Sequence, residues 1–266
     1  MISIDMLRGI VAYRGFILGS VKREFQLKYK NSLLGAAWTV LNPLAMIIVY
    51  TVIFAQVMSA KLPGVDSAFA YGIFLCAGIL TWGLFVEIIG RCQNVFIDNA
   101  NLLKKLSFPR ICLPIIVVLS ALSNFAIIFT LFTAFLVLSG HFPGWVFLGI
   151  IPVLIVQIVF ATGLGMVLGV LNVFFRDVGQ FFSIFLQFWF WFTPIVYPLA
   201  IVHEKIRAVI AWNPMVPVVV SYQDILVNGV VPQWTSLIPL ALMGVVLCLF
   251  GVRLFRKRAG EMVDEL

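Results

Sequence analysis

The chain has 266 residues, 62% of them hydrophobic and 11% charged, with a net charge of +7 and four cysteines; its mean hydropathy is +1.11. A soluble domain is about 45–50% apolar and about 25% charged, and a folded surface of this size cannot hide the excess from water. The figures exclude a soluble enzyme, a disordered chain and a disulfide scaffold, and leave an all-α integral membrane protein with one membrane domain over 1–266.

Residues 1–36 come first and read as a cytoplasmic amphipathic segment. They lack the continuous apolar run of a cleavable signal. At about 100° per residue, Ile10, Ile17, Leu18, Val21, Phe25 and Tyr29 share one face, with Arg23, Gln26 and Lys30 opposite. A helix of this kind lies in the membrane interface, and its pattern fits a surface anchor and a gating element equally well.

Six stretches within 37–252 have the apolar length, about 20 residues, that a crossing helix needs. They are 37–57, 69–90, 111–138, 145–171, 179–197 and 236–252. None alternates, so a β-barrel is excluded. Pro43 predicts a kink in the first. Near the end of the second, Glu87 and Arg91 stand one turn apart and are expected to pair. Residues 97–110 read as a short helix outside the membrane, opened by Asp98 or Asn99 and stopped by Pro109. Leu102, Leu103 and Leu106 form its exposed apolar ridge, with Lys104 and Lys105 alongside. Such a ridge either seats in a partner's groove or folds back onto the membrane.

The fourth span carries Ala161, Gly165 and Gly169 as a small-residue face for close helix packing. The fifth puts Phe181, Phe185, Phe188, Trp189 and Phe192 on one face. That face either packs against other helices or lines a passage for something with apolar sides, such as sugar rings. Residues 198–235 are apolar but broken by Pro214 and Pro217. Two half-helices dipping into the outer leaflet, near 201–212 and 216–226, fit them best. The tail 253–266 is basic.

Orientation follows from Lys and Arg. Fifteen fall in 1–36, 91–110, 172–178 and 253–266; only Lys61, Lys205 and Arg207 fall in the opposite loops. Both termini are therefore expected in the cytoplasm. Cys92 and Cys112 would sit near the reducing side, so no disulfide is expected. His141 and His203 lack partners at ligand spacing, so neither a metal nor a cofactor is expected. The phosphate-cradling G-x-x-x-x-G-K-[ST] motif does not occur, and the spans hold few ionisable groups. The chain is thus a passive pore, or another subunit supplies its energy.

Four stretches carry a family resemblance: KREFQLKYKNSLLG (22–35), NANLLKKLSFPR (99–110), NVFFRDVG (172–179), and WFTPIVYP (191–198) leading to Asn213 and Pro214. In order, spacing and six-span layout the chain resembles the membrane subunit of ABC-2 type exporters, in the branch that moves lipid-linked polysaccharides: O-antigen, and in relatives capsule or teichoic acid. The resemblance implies a six-helix ABC-2 fold in the bacterial inner membrane. It also implies a homodimer working with two ABC ATPase subunits, a glycan on undecaprenyl diphosphate as substrate, contact with membrane lipid, no nucleic acid and no enzymatic activity of its own. It makes Asn99, Asn101, Leu102, Leu103, Lys104, Lys105 and Leu106 the helix coupling to the ATPase. Lys22, Arg23, Lys28 and Lys30 become a gate helix meeting the lipid diphosphate, and 198–235 a periplasmic gate. Gln223 stands where the family pattern has Arg after an aromatic, here Tyr222, so no salt bridge or phosphate contact is carried over there. ABC-2 exporters of drugs, ions or haem, and a passive pore, are the competing readings.

Overall fold

The computed structural model describes residues 11–28, 37–52, 69–105 and 109–265. Its elements, in chain order, are α1 (Arg14–Lys28), α2 (Trp38–Val52), α3 (Ala70–Asp98), α4 (Ala100–Lys105), α5 (Cys112–Leu138), a 3₁₀ turn (Gly144–Gly149), α6 (Ile150–Phe174), α7 (Asp177–Trp191), α8 (Glu204–Ile210), α9 (Val216–Gln223) running into a π-turn (Asp224–Asn228), α10 (Trp234–Arg258) and α11 (Glu261–Glu265). The described residues contain no strand.

Among the described residues, four helices have crossing length and composition: α3, α5, α10, and Gly144–Phe174, which joins the 3₁₀ turn to α6. The protein is all-helical and multi-pass. The described part of the first expected span ends at Val52; residues 53–68, Lys61 among them, lie outside the described residues. Pro43 lies inside α2. The fifth expected span, 179–197, is shorter as a helix. α7 has 15 residues, about 22 Å at 1.5 Å per residue, against a hydrocarbon core of about 30 Å. Helix ends at Trp191, and a turn through Thr193 and Pro194 follows.

The core is built around α3, the most buried of the four long helices. α6 and α5 pack on it, α10 packs along α6, and α2 lies on α3 and α5. Phe85 of α3 is fully buried and stacks on Phe160 of α6, ring centroids 5.7 Å apart. The small-residue face of α6 meets α3 backbone to backbone. A Cβ on Gly165 would stand 2.6 Å from Cys92 Cβ, and one on Gly169 would stand 2.5 Å from the Cys92 carbonyl oxygen. Both positions therefore need glycine, and the close approach brings the helices into dense contact. Deeper in, the fully buried Gln157 donates through Nε2 to the Thr81 carbonyl at 2.8 Å, which satisfies the donor side of its amide.

Short helices gather at the two ends. α1 lies on the start of α5, with Ile17 packed among Cys112 and Ile116. α4 and α11 meet at that same end, where the Arg110 guanidinium donates to the Ala259 carbonyl. At the other end, α8 and α9 stand where two half-helices were read in the sequence. α9 is deeply buried, with Val218, Val219 and Tyr222 fully covered, and it packs on α3 and α6. Surrounding protein thus shields its short backbone, whereas α8 is exposed apart from Ile210. The four cysteines are unpaired.

Candidate functional site

α7 presents its aromatic face outward. Phe181 is 69% exposed and Phe188 is 62% exposed, and Phe185 and Phe192 are exposed as well. The 3.6-residue period sets this out, because positions 181, 185, 188 and 192 fall along one side. Leu186, on the opposite side, is buried and anchors α7 to the bundle. Trp189 departs from the expectation. It does not share the open exposure of the four phenylalanines, being partly buried. It turns toward α3, edge to face with Phe85 at 5.3 Å and with Trp82 at 6.1 Å. The reason is its indole N–H, which in an apolar setting needs an acceptor. It donates to Asn213 Oδ1 at 2.7 Å.

Asn213 closes the turn that follows α7. Its Oδ1 also accepts from the Met215 backbone N–H at 3.0 Å. Its Nδ2 donates to the Phe192 carbonyl at 3.0 Å and to Thr193 Oγ1 at 2.9 Å, and that hydroxyl in turn donates to the Trp189 carbonyl at 2.8 Å. Gln223 of α9 donates through Nε2 to the Pro194 carbonyl at 2.9 Å, and Tyr71 Oη donates to the Val196 carbonyl at 2.7 Å. Residues 192–197 are therefore held by α3, α9 and the α8–α9 connection together. Gln223 does neutral work that an Arg would do only by bringing a charge into the same buried position.

A second clamp fixes the other end of α7. Asn172 donates through Nδ2 to the Gln93 carbonyl at 2.9 Å and to Asn94 Oδ1 at 3.1 Å. Its Oδ1 accepts from the Gly179 N–H at 2.9 Å. A Cβ on Gly179 would stand 2.7 Å from that oxygen, which explains the Gly ending the NVFFRDVG stretch. The aromatic face is thus pinned at both ends.

At the end where α1, α4 and α11 gather, the basic residues are split by their environment. Lys22 and Arg23 are exposed on α1. Lys28 lies at the last position of α1, and Lys30 lies outside the described residues. The packed side of α1 runs through Phe16, Ile17, Val21, Glu24 and Phe25, while Leu18, placed on the apolar face in the sequence reading, is 63% exposed. Glu24 reaches α3, with its Oε2 2.6 Å from Arg91 Nη2. Glu87 approaches the same guanidinium at 3.8 Å and accepts from Asn124 Nδ2 at 3.0 Å. The expected Glu87–Arg91 pair is present, but the closer partner comes from α1.

α4 corrects the apolar-ridge expectation. Leu103 is 6% exposed and belongs to the main core, together with Met262 of α11. A helix of six residues buries its apolar side most economically against the bundle it leaves, and α11 packs on it there. Leu102 is half-buried. Asn101 and Lys104 make the exposed side, and Asn99, half-buried, donates through Nδ2 to the Val95 carbonyl at 2.8 Å. Lys105 ends the helix, and Leu106 lies outside the described residues.

Asn172, Asn213, Gln223 and Glu24 were missed as positioning residues. For the three amides the available signal was a neutral amide within an apolar stretch, since a buried amide must find partners; Glu24, a carboxylate among basic residues, carried no such signal. Among the described residues no three His, Cys, Asp or Glu come together as a metal site would require.

Comparison with known proteins converges on one family. The family model for the ABC-2 type transporter matches residues 17–227. The O-antigen export system permease protein RfbA of Myxococcus xanthus is 32% identical over 265 residues, covering 99% of this chain and 100% of that protein. The protein of the same name from Klebsiella pneumoniae is 31% identical over 237 residues, 88% of each. The polysialic acid transport protein KpsM of Escherichia coli is 23% identical over 244 residues, 91% of this chain and 93% of that one.

Proposed function

The chain belongs to the ABC-2 type transporter family, and on that premise we propose that it is the permease subunit of an ATP-driven exporter of undecaprenyl-diphosphate-linked polysaccharide, of the O-antigen kind, in the bacterial inner membrane. The observation that carries this reading is the aromatic face of α7, exposed along Phe181, Phe185, Phe188 and Phe192 while both ends of the helix are clamped. An apolar face that wide on a rigid helix wants a partner surface or a guest. Phenyl rings suit the apolar faces of sugars, over which a chain slides without being held at fixed hydrogen bonds.

One copy has too few crossing helices to surround a polymer. Two copies related by a two-fold axis, with α7 and α2 from each, would enclose a path at the interface. Lys22 and Arg23 on α1, with Lys28 and Lys30, offer the lipid diphosphate its first contact at the membrane surface. The chain carries no nucleotide-binding motif, so ATP hydrolysis falls to two copies of a partner ATPase. That partner docks on the polar side of α4, at Asn101 and Lys104, while the half-buried Leu102 and the buried Leu103 transmit its movement into the core. Both termini lie in the cytoplasm in this arrangement. α7 carries no Lys or Arg, which favours a neutral glycan over an acidic polymer such as polysialic acid.

The test is export in cells. A strain lacking the gene should lose long-chain surface polysaccharide and accumulate the lipid-linked form inside, and the wild-type gene should restore export. Phe188→Ala should lower export while membrane level and ATPase co-purification stay unchanged. Normal surface polysaccharide in the deleted strain would overturn the assignment.

A further inference from the structure

Three hollows lie in sequence between α1, α2, α3 and α5, and no residue of α7 lines any of them. The middle one, of about 370 Å³, is bounded by Glu24, Glu87, Arg91, Ser120 and Asn124. It shares Glu24 and Arg91 with a hollow of about 260 Å³ next to α4. On its other side it shares Glu87 and Asn124 with one of about 200 Å³, which passes between α2 and α5 along Pro43, Met46, Gly83 and Phe125. Phe25 and Leu27 also line the middle hollow, so it joins charged groups to apolar walls, and the run becomes apolar between α2 and α5.

Its depth fits a lipid. Glu87 is 17 residues beyond Ala70, the start of α3, about 26 Å along the helix axis. A hydrocarbon core is about 30 Å thick, so Glu87 comes near headgroup level and the apolar hollow opens at acyl-chain level. The charges fit one class of headgroup. Among the described residues that line the middle hollow, two carboxylates face a single guanidinium, leaving one negative charge in surplus there, while Lys22 and Arg23 of α1 are exposed and do not line it.

Ser120 supplies an independent observation. It is 3% exposed and its Oγ has no hydrogen-bond partner among the described residues, although it lines the middle hollow. Helical hydroxyls commonly return to the carbonyl four residues back. On the same helix Ser123 does so, donating to the Leu119 carbonyl at 2.8 Å. A buried hydroxyl left open beside a hollow is a group waiting for an acceptor.

We propose that this groove binds one phospholipid with a primary-amine headgroup, of the phosphatidylethanolamine class. Its ammonium donates to Glu87 and Glu24, and the Ser120 hydroxyl donates to a phosphate oxygen. One acyl chain fills the hollow between α2 and α5. A quaternary amine lacks the N–H donors that carboxylates require, and an anionic headgroup meets two carboxylates. The bound lipid braces α1 against α3 and α5 on the side remote from the aromatic face, and is distinct from any exported molecule.

The experiment is native mass spectrometry of the purified, delipidated full chain titrated with phosphatidylethanolamine, phosphatidylcholine and phosphatidylglycerol of matched acyl chains. Phosphatidylethanolamine should be retained preferentially. Glu87→Gln should weaken its retention about tenfold, the loss of one charge-assisted hydrogen bond. Gly83→Leu leaves every charge in place, and its Cβ meets nothing within 4 Å; by filling the apolar hollow it should displace the same lipid. Ser120→Ala should lower retention a few-fold and serves if Glu87→Gln fails to fold. Equal retention of the three headgroups, or unchanged phosphatidylethanolamine binding in Gly83→Leu and Ser120→Ala, would overturn the site.

Discussion

Replacing Asn213 with Ala removes the amide that holds the end of α7. Four hydrogen bonds vanish at once: those from Trp189 Nε1 and the Met215 N–H, and those to the Phe192 carbonyl and Thr193 Oγ1. A neutral hydrogen bond is worth about 0.5–1.5 kcal/mol net, and more when its loss strands a buried partner. Thr193 is fully buried but Asn213 itself is half-exposed, so water recovers part of the loss. The expected destabilisation is roughly 2–4 kcal/mol, which lowers the melting temperature by roughly 5–15 °C for a chain of this size. Trp189→Phe keeps the ring packed against Phe85 but removes one bond, and should destabilise by about 1 kcal/mol. In the Trp189→Phe background Asn213→Ala should therefore do less harm than in the wild type. Thermal unfolding of the four detergent-purified proteins measures this, and export in cells reports on the set of α7. Strict additivity of the two substitutions, or an unchanged melting temperature for Asn213→Ala, would refute the clamp.

Other substitutions test the remaining contacts. Gly169→Ala places a methyl 2.5 Å from the Cys92 carbonyl oxygen and should destabilise by roughly 1–3 kcal/mol as α3 and α6 are forced apart. Gly90→Ala, which meets open space, should be neutral or stabilise by up to about 1 kcal/mol in the same melts. Leu103→Asp buries a carboxylate in the core and should lower the amount of folded protein, whereas Lys104→Glu should leave folding intact and reduce ATPase pull-down; the reverse pattern would restore the exposed-ridge reading of α4. For orientation, Lys205→Cys should react with an impermeant thiol reagent from outside intact cells and Lys104→Cys should not. The native Cys76, Cys92 and Cys112 are buried and give little background.

Hydropathy revealed the helices but not their faces. α5 and α6 are apolar all round, so no moment marks which side meets protein and which meets lipid. The small-residue stripe of α6 was the exception: Gly165 and Gly169 carried their packing partner in their own chemistry, since only close backbone contact explains their spacing. Trp189 shows the opposite case. Helical periodicity put it with Phe181 and Phe188, and its acceptor on Asn213, 24 residues away, drew it inward.

What the sequence by itself determined follows from solvation: where the chain is apolar enough for the bilayer, where Pro214 and Pro217 interrupt it, and which short motifs place it among ABC-2 transporters. Each of these is a local property of consecutive residues. What only the tertiary structure decided is pairing over distance. Glu24 finds Arg91 across 67 positions, Leu103 folds back beside Met262, and Gln223 caps Pro194. A lone Glu, Leu or Gln bears no mark of its partner, because the energy of a buried charge, apolar side chain or amide depends on what the rest of the fold brings beside it.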